Sequence, residues 1–475
     1  RCQDMNYEIV CGIETHIELA TKTKIFCGCT TEFGGEPNTH CCPVCTGQPG
    51  TLPILNQKVV EYAIKAGLAL NCKINTKSHM DRKNYVYPDL PKAYQISQYD
   101  EPLCEKGYIE LDSGKRIGIT RIHIEEDAGK LIHENGYTYI DYNRSGVPLI
   151  EIVSEPDISS AEEAKEYAEK LQLIMRYIGI SDCKMQEGSM RCDVNLSLRK
   201  PGDPCLGVRT EIKNINSLSF IQKAVMAEAE RQADILDAGG TIVQQTMRYD
   251  EGTNSVTPMR DKENSDDYRY FPDPDILRFS IDDRKVEEIR TSLPELPFDK
   301  LRRYVNVLGL PEATAKQIFR YRKVAEFFEG ALAEGASVKN TANLIVGTIF
   351  SNMDTEEEKE LFAISISAVQ FAALVKLADE KKINIGVAQS TLQKMLESGK
   401  PVEEFIKPED LVGISDEELE SLCKEAIDAN PKAVADVRSG KDKAINMMFG
   451  YIMKKTGGKA DIRKAEVLLR KLIGQ

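Results

Sequence analysis

The chain has 475 residues, of which 41% are hydrophobic and 29% charged, with a net charge of −13 and thirteen cysteines. That length exceeds one ordinary core, so two to four domains are expected, and the acidity argues against general nucleic-acid coating. No apolar run is long enough to span a bilayer, so no membrane partner is expected. Arg1-Cys2-Gln3-Asp4-Met5 shows no apolar leader segment, which makes cytoplasm the expected location and reduced thiols or metal ligands the expected state of the cysteines.

In chain order, the first informative stretch is Cys11-Gly12-Ile13-Glu14-Thr15-His16-Ile17-Glu18-Leu19. With period two, Ile13, Thr15, Ile17 and Leu19 share one face of a strand, and Glu14, His16 and Glu18 share the other. A core-and-water strand and a hard-cation site both fit that pattern. Next, Cys27-Gly28-Cys29 and Cys42-Pro43-Val44-Cys45 form two close thiolate pairs. Such knuckles supply four tetrahedral ligands to zinc, and an all-sulfur site is closed, hence structural. His40 and Cys41 beside them are surplus to four ligands. A helix is predicted over Gln57–Leu70. Asp81-Arg82-Lys83-Asn84-Tyr85-Val86-Tyr87-Pro88 then mixes charge with aromatic rings.

Arg116–Asp127 reads as a strand with Arg121, His123, Glu125 and Asp127 on one face. Glu126 breaks the alternation at the strand end, where a bulge can re-aim it. A second strand is predicted over Tyr137–Asn143. Val147–Val153 is a continuous apolar run, the mark of a strand buried on both faces. A lone ionised Glu151 there is costly unless a cation or a partner such as Arg144 neutralises it. A helix over Ala161–Ile178 follows, capped by Ser159 or Ser160. Met190–Arg199 alternates with Arg191, Asp193, Asn195, Ser197 and Arg199 outward, a row suited to solvent or to a phosphorylated ligand. Val208–Ile215 continues it with Glu211 and Lys213, and a helix spans Ser219–Ala238. Ser265-Asp266-Asp267-Tyr268-Arg269-Tyr270-Phe271-Pro272 is a second charged aromatic loop.

After Leu293-Pro294-Glu295-Leu296-Pro297 nearly every segment reads as helix, with a further boundary near Gly399-Lys400-Pro401. Residues 431–475 carry eleven Lys/Arg against four Asp/Glu. Lys441, Lys443, Lys454, Lys455 and Lys459 are expected to gather around the turn Thr456-Gly457-Gly458, a patch suited to RNA phosphates. The expected organisation is 1–296, 297–400 and 401–475. The chain contains no Walker-type P-loop and no Gly-x-Ser-x-Gly elbow. Carboxylates holding a metal beside arginines fit phosphoryl transfer, which is mainly positioning and charge neutralisation.

Five stretches together, Gly12–Leu19, Asp81–Tyr85, His123–Lys130, Pro148–Asp157 and Ser265–Pro272, resemble the family of B subunits of the aspartyl/glutamyl-tRNA amidotransferases. The resemblance covers essentially the whole chain. It implies an α+β fold: a glutamine-synthetase-like cradle on a largely antiparallel sheet, followed by all-α helical and tail domains. It implies use of ATP and Mg2+ to phosphorylate the side-chain carboxylate of Glu or Asp misattached to tRNA for Gln or Asn, after which ammonia displaces phosphate. The ammonia comes from a partner glutaminase, the A subunit of the enzyme, and a small C subunit makes up a heterotrimer. Carried over by position, Glu14, His16, Glu125 or Glu126, and Glu151 are the expected magnesium site. Lys83 is expected where ammonia arrives. Cys27, Cys29, Cys42 and Cys45 match the zinc-bearing members. Arg191, Asp193 and Lys213, with Asp266, Asp267 and Arg269, are the expected ATP and substrate contacts. The lysines of the tail are expected to grip tRNA. Two other classes stay open: a non-catalytic, zinc-containing RNA-binding protein of the same complex, and a metal-dependent hydrolase that turns over without ATP.

Overall fold

Strand β1 (Glu8–Glu18) is the piece from which the N-terminal part of the fold grows, because its alternation gives it one buried face and one half-open face. The computed structural model describes residues 6–261, 265–406, 416–439, 441–456 and 460–474. Two compact units divide it, Arg1–Leu296 and Pro297–Gln475. No described helix is long and apolar enough to cross a membrane.

In the first unit the strands after β1 are β2 (Lys73–Ile74), β3 (Lys77–Ser78), β4 (Asp81–Asn84), β5 (Tyr94–Ser97), β6 (Cys104–Glu110) and β7 (Arg116–Glu126). They continue as β8 (Lys130–Glu134), β9 (Tyr137–Asp141), β10 (Pro148–Ser154), β11 (Met190–Arg199), β12 (Thr210–Ile215), β13 (Gln245–Asp250), β14 (Ser255–Asp261) and β15 (Phe271–Pro272). Nine of them form one sheet in the order β14-β13-β12-β11-β1-β10-β7-β6-β2. Every neighbouring pair is antiparallel except β12 with β13. The expected α+β architecture is therefore what forms. A smaller sheet, β15-β4-β5, carries the two charged aromatic loops.

Ile13, Ile17, Ile122, Ile124, Ile150, Ile152, Val194 and Leu196 are all buried and make the core of the large sheet. Three helices supply the opposing apolar surface. Helix α1 (Gln57–Ala69) lies against β6 and β7, α2 (Ala161–Tyr177) against β6, and α3 (Leu218–Asp237) against β11, β12 and β14. Each begins at a side-chain cap, Asn56, Ser160 or Ser217, whose oxygen accepts from a backbone N–H of the first turn. The helices predicted from sequence sit within a residue of these bounds. The strands β2 to β6, β8 and β13 to β15 escaped the sequence reading; several are only two to four residues long, too short to show a period.

The second unit is helical throughout its described residues. Lys300 and Tyr304 of the helix Pro297–Asn306 both bond to Glu329 of Arg322–Ala333, at 2.6 and 2.9 Å. Capping boxes start the helices Glu356–Leu361 and Ala368–Asp379. Near the end, helices Asp416–Ala429, Pro431–Arg438, Ile445–Lys455 and Ile462–Ile473 enclose a core of their own around Cys423, Val437, Met448 and Leu469.

One contact sets how closely α1 can approach the sheet edge. A Cβ on Gly107 of β6 would lie 2.5 Å from the Leu70 carbonyl oxygen, which already accepts from Tyr108 N–H at 2.9 Å. A backbone atom cannot swing aside, so Gly107→Ala is expected to destabilise the N-terminal unit by ~1–3 kcal/mol. Chemical denaturation of the full chain measures this, and unchanged stability would show that the edge strand is free to shift.

Candidate active site

The face of the large sheet opposite the isoleucines is lined with ionisable groups, and strand register brings them together. His16 of β1 pairs with Glu151 of β10, and Glu151 pairs with His123 of β7. Directly opposed residues on antiparallel strands point the same way and sit side by side. His16 Nε2 is 3.4 Å from Glu125 Oε1 and 3.6 Å from Glu151 Oε2. His123 Nε2 is 3.1 Å from Glu151 Oε2 and 3.6 Å from Glu125 Oε2. His123, Glu125 and Glu151 are buried.

Burial alone would discharge these groups, but they hold one another ionised. Burial lowers the His16 imidazole, yet Glu151 and Glu125 push it up to about 10. Burial would raise the Glu151 carboxyl, yet His123 and His16 hold it well below the usual carboxylate range. Glu125 is likewise held low against its own burial by hydrogen bonds from His123 and His16. Each imidazole thus faces carboxylates that favour its protonated form. The ligand atoms of His16, Glu125 and Glu151 lie within 4.8 Å of one another, where a divalent ion would balance the two carboxylates. Donors spaced like this fit a divalent ion after a small contraction, the carboxylates suiting a hard ion such as Mg2+ and the imidazole a softer one.

Glu14 falls outside that set. It pairs across the strands with Asp193, and it joins Asp193 and Glu211 in a second group whose oxygens lie within 4.8 Å. Asn195 donates to Glu14 at 2.9 Å. Lys213 bonds to Asp193 and lies 3.4 Å from Glu211. Burial disfavours the Lys213 charge, but Asp193 and Glu211 raise its pKa. Carboxylate oxygens grouped in this way are the donor type that a hard divalent cation takes. The single expected magnesium set is therefore divided between two neighbouring groups.

Of the alternatives Glu125 and Glu126, it is Glu125 that faces His16 and Glu151. No bulge turns Glu126 toward Glu125: the Glu126 carboxylate takes Lys92 Nζ at 2.6 and 2.7 Å and the Ile96 N–H at 2.9 Å. Arg191 donates to Asp127 at 2.8 Å, with Arg144 at 3.5 Å from the same oxygen. Arg144, the alternative partner weighed for Glu151, is thus engaged at Asp127.

Lys83 reaches this face from β4. Its Nζ lies 4.8 Å from the Tyr268 ring centre and 5.6 Å from that of Tyr85. Burial opposes its charge, but Glu125, with smaller contributions from Tyr270, Tyr85 and Glu151, keeps the ammonium protonated. Arg82, its neighbour, donates to Asp273 and Asp275 at 2.8 Å each and so ties β4 to the second aromatic loop. Tyr270 stacks on Tyr99 with ring centres 4.3 Å apart. Asp267 and Arg269 are exposed, and the side chain of Asp266 lies outside the described residues. His123 and the Tyr85, Tyr268 and Tyr270 wall were absent from the expected site. The parity of β7 already placed His123 beside Glu125, whereas nothing local brings Tyr268 to Tyr85.

The Sγ atoms of Cys27, Cys29, Cys42 and Cys45 converge within 4.8 Å of one another. A tetrahedral zinc with sulfur at ~2.3 Å sets its donors roughly 3.8 Å apart, and Cys42 and Cys45 are already 3.9 Å apart. A hydrogen bond from Cys27 pulls the Cys45 thiol down to about 4 despite burial. The fully buried Lys24 lies 3.6 Å from that sulfur and donates to the His40 carbonyl at 2.8 Å, adding positive charge beside the thiolates. Cys41 stands apart, with its Sγ 3.8 Å from Asn143.

In the tail, Lys441 and Lys443 precede the helix Ile445–Lys455, and Lys454 and Lys455 end it. Eleven residues of helix span roughly 16 Å. The lysines therefore form two exposed pairs at opposite ends of a helix and not one cluster. Lys459, Gly457 and Gly458 lie outside the described residues. Lys441 is 3.1 Å from Asp436 and Lys455 is 3.7 Å from Glu425.

Residues 9–287 match the family model described as the GatB/GatE catalytic domain, and residues 326–473 match the one described as the GatB domain. The aspartyl/glutamyl-tRNA(Asn/Gln) amidotransferase B subunit of Caldicellulosiruptor saccharolyticus is 51% identical over 98% of this chain and 99% of its own length. The protein of the same name from Thermoanaerobacter sp. is also 51% identical, over 98% of this chain and 99% of its own. That from Bacillus licheniformis is 48% identical over 96% and 97%.

The cysteine geometry generates a prediction. The purified chain is expected to carry zinc that a Cys42→Ser substitution removes, with a lower thermal midpoint in the variant and in chelator-treated protein. Elemental analysis and thermal unfolding check this; an unchanged midpoint after zinc removal would show that the knuckles need no metal.

Proposed function

The chain belongs to the GatB family, and from that premise we propose how its residues amidate Glu-tRNA(Gln) or Asp-tRNA(Asn). The reading rests on one observation: His16, Glu125 and Glu151 meet on the sheet face beside the Glu14, Asp193 and Glu211 group, with Lys83 above them. His16, Glu125 and Glu151 would hold one Mg2+, and Glu14, Asp193 and Glu211 a second. The ions supply charge neutralisation between the ATP phosphates and the anionic substrate.

The chain's own residues do the rest. Arg191, Asp193, Lys213, Asp266, Asp267 and Arg269 are proposed to position ATP and the aminoacyl end. An oxygen of the substrate carboxylate attacks the γ-phosphorus, the bond to the β-phosphate oxygen breaks, and ADP leaves. Ammonia then attacks the acyl carbon, the bond to phosphate breaks, and hydrogen phosphate departs with the proton that ammonia sheds. Lys83 is proposed to stabilise negative charge on the acyl phosphate, and the tyrosines around it to exclude water.

Ammonia is proposed to come from a partner glutaminase, the A subunit, with the small C subunit making up a heterotrimer in the cytoplasm. Residues 401–475 are proposed as a tRNA-gripping domain separate from 297–400, supported by the core that the last four described helices enclose. Lys441, Lys443, Lys454, Lys455 and Lys459 would contact phosphates, which position the tRNA without reading its sequence. Zinc at Cys27, Cys29, Cys42 and Cys45 would brace the loop beside the sheet.

In the reconstituted heterotrimer, Glu151→Gln is expected to lower tRNA-dependent ATP cleavage and amide formation by roughly 10²-fold or more while glutamine hydrolysis survives. Intact amidation would favour a non-catalytic RNA-binding role, and turnover without ATP a hydrolase. Reversing charge at Lys443 and Lys454 is expected to raise KM for tRNA and flatten its salt dependence, with kcat unchanged; an unaltered KM would remove tRNA from this helix.

A further inference from the structure

A third group of ligating side chains lies outside the reaction centre, where β4 begins. His79 and Asp81 are both buried, each with only 2% of its surface exposed. His79 Nε2 lies 3.0 Å from Asp81 Oδ1 and 3.2 Å from Asp100 Oδ1. Asp100 stands on the turn after β5 and opens to solvent, at the edge of a cavity of about 410 Å³.

Nε2 carries at most one hydrogen, and two carboxylate oxygens compete for it. An ion pair with Asp81 therefore leaves the Asp100 oxygen to solvent. A tetrahedral ion at ~2.1 Å from each donor sets the donors roughly 3.4 Å apart, a few tenths of an ångström wider than the distances found.

The far side of the ring supplies a second, separate observation. His79 Nδ1 faces Glu101 Oε2 at 3.0 Å. Metal-bound imidazoles characteristically give their other N–H to a carboxylate, which fixes the tautomer and strengthens the ligand. Arg278 lies 3.1 Å from Nδ1 and donates to the other Glu101 oxygen at 2.7 Å, so Glu101 is held in place and its charge is balanced. Asp81 is oriented as well, because its second oxygen accepts the Tyr99 N–H at 2.8 Å.

We propose that His79, Asp81 and Asp100 form a further divalent-metal site, suited to a transition ion such as Zn2+, with Glu101 as the positioning residue of the imidazole. One nitrogen and two carboxylate oxygens favour such an ion over Ca2+, which prefers oxygen alone. Water completes the coordination on the Asp100 side. The ion ties the start of β4 to the turn after β5, two residues from Lys83, and its role is structural. The site is independent of the amidation reading.

The test uses the full chain, stripped of metal, reloaded with Zn2+ and passed through gel filtration before elemental analysis. Wild type is expected to hold one zinc equivalent more than His79→Gln. Asp100→Asn changes an exposed side chain and spares the core, and it is expected to weaken that equivalent at least tenfold in chelator competition. Cys42→Ser is expected to remove a different equivalent, additively. Equal zinc content and affinity in wild type, His79→Gln and Asp100→Asn would overturn the site and leave an ordinary histidine–carboxylate ion pair.

Discussion

The register between β1, β10 and β7 is the constraint on which the rest depends. It stacks His16, Glu151 and His123 in one row and brings Glu125 against them. A slip of one residue on any of the three strands would turn its charged group into the isoleucine core. The core thus protects the site: Ile13, Ile17, Ile122, Ile124, Ile150 and Ile152 fix the pairing, and the opposite face inherits the alignment. Burying His123, Glu125 and Glu151 is costly unless each charge finds its opposite, and here these three and the half-buried His16 satisfy one another.

Around this row the molecule places fixed charge. Lys83 arrives from a separate small sheet, and its ammonium is kept charged across the gap by Glu125. The aromatic loop that surrounds it is held by Arg82 through Asp273 and Asp275, and by the Tyr99–Tyr270 stack. Strand β4 is therefore anchored from both directions, by the Arg82 contacts on one side and by the His79 and Asp81 group at its start.

Much of this was legible in the chain. The alternation of Glu14, His16 and Glu18, and of His123 and Glu125, assigns faces to β1 and β7. The apolar run around Glu151 marks a carboxylate that must be neutralised, and the Cys pairs mark their own convergence. The errors have physical causes. Periodicity gives the face of Glu14 but not its neighbour, and pairing with β11 sends it to Asp193 and Glu211. A strand end can bulge or stay regular, and Lys92 with the Ile96 N–H keeps Glu126 away. The tail lysines are close in sequence, but an intervening helix spreads them. The approach of Tyr268 to Lys83 is a long-range contact with no local signature.

Crystals of the full chain soaked in Mn2+, with anomalous scattering recorded at the manganese edge, test the central claim most directly. The account predicts a peak about 2.2 Å from donor atoms of His16, Glu125 and Glu151, the distance expected of a hard divalent ion. No peak among these three side chains, with manganese bound elsewhere on the same sheet face, would contradict it.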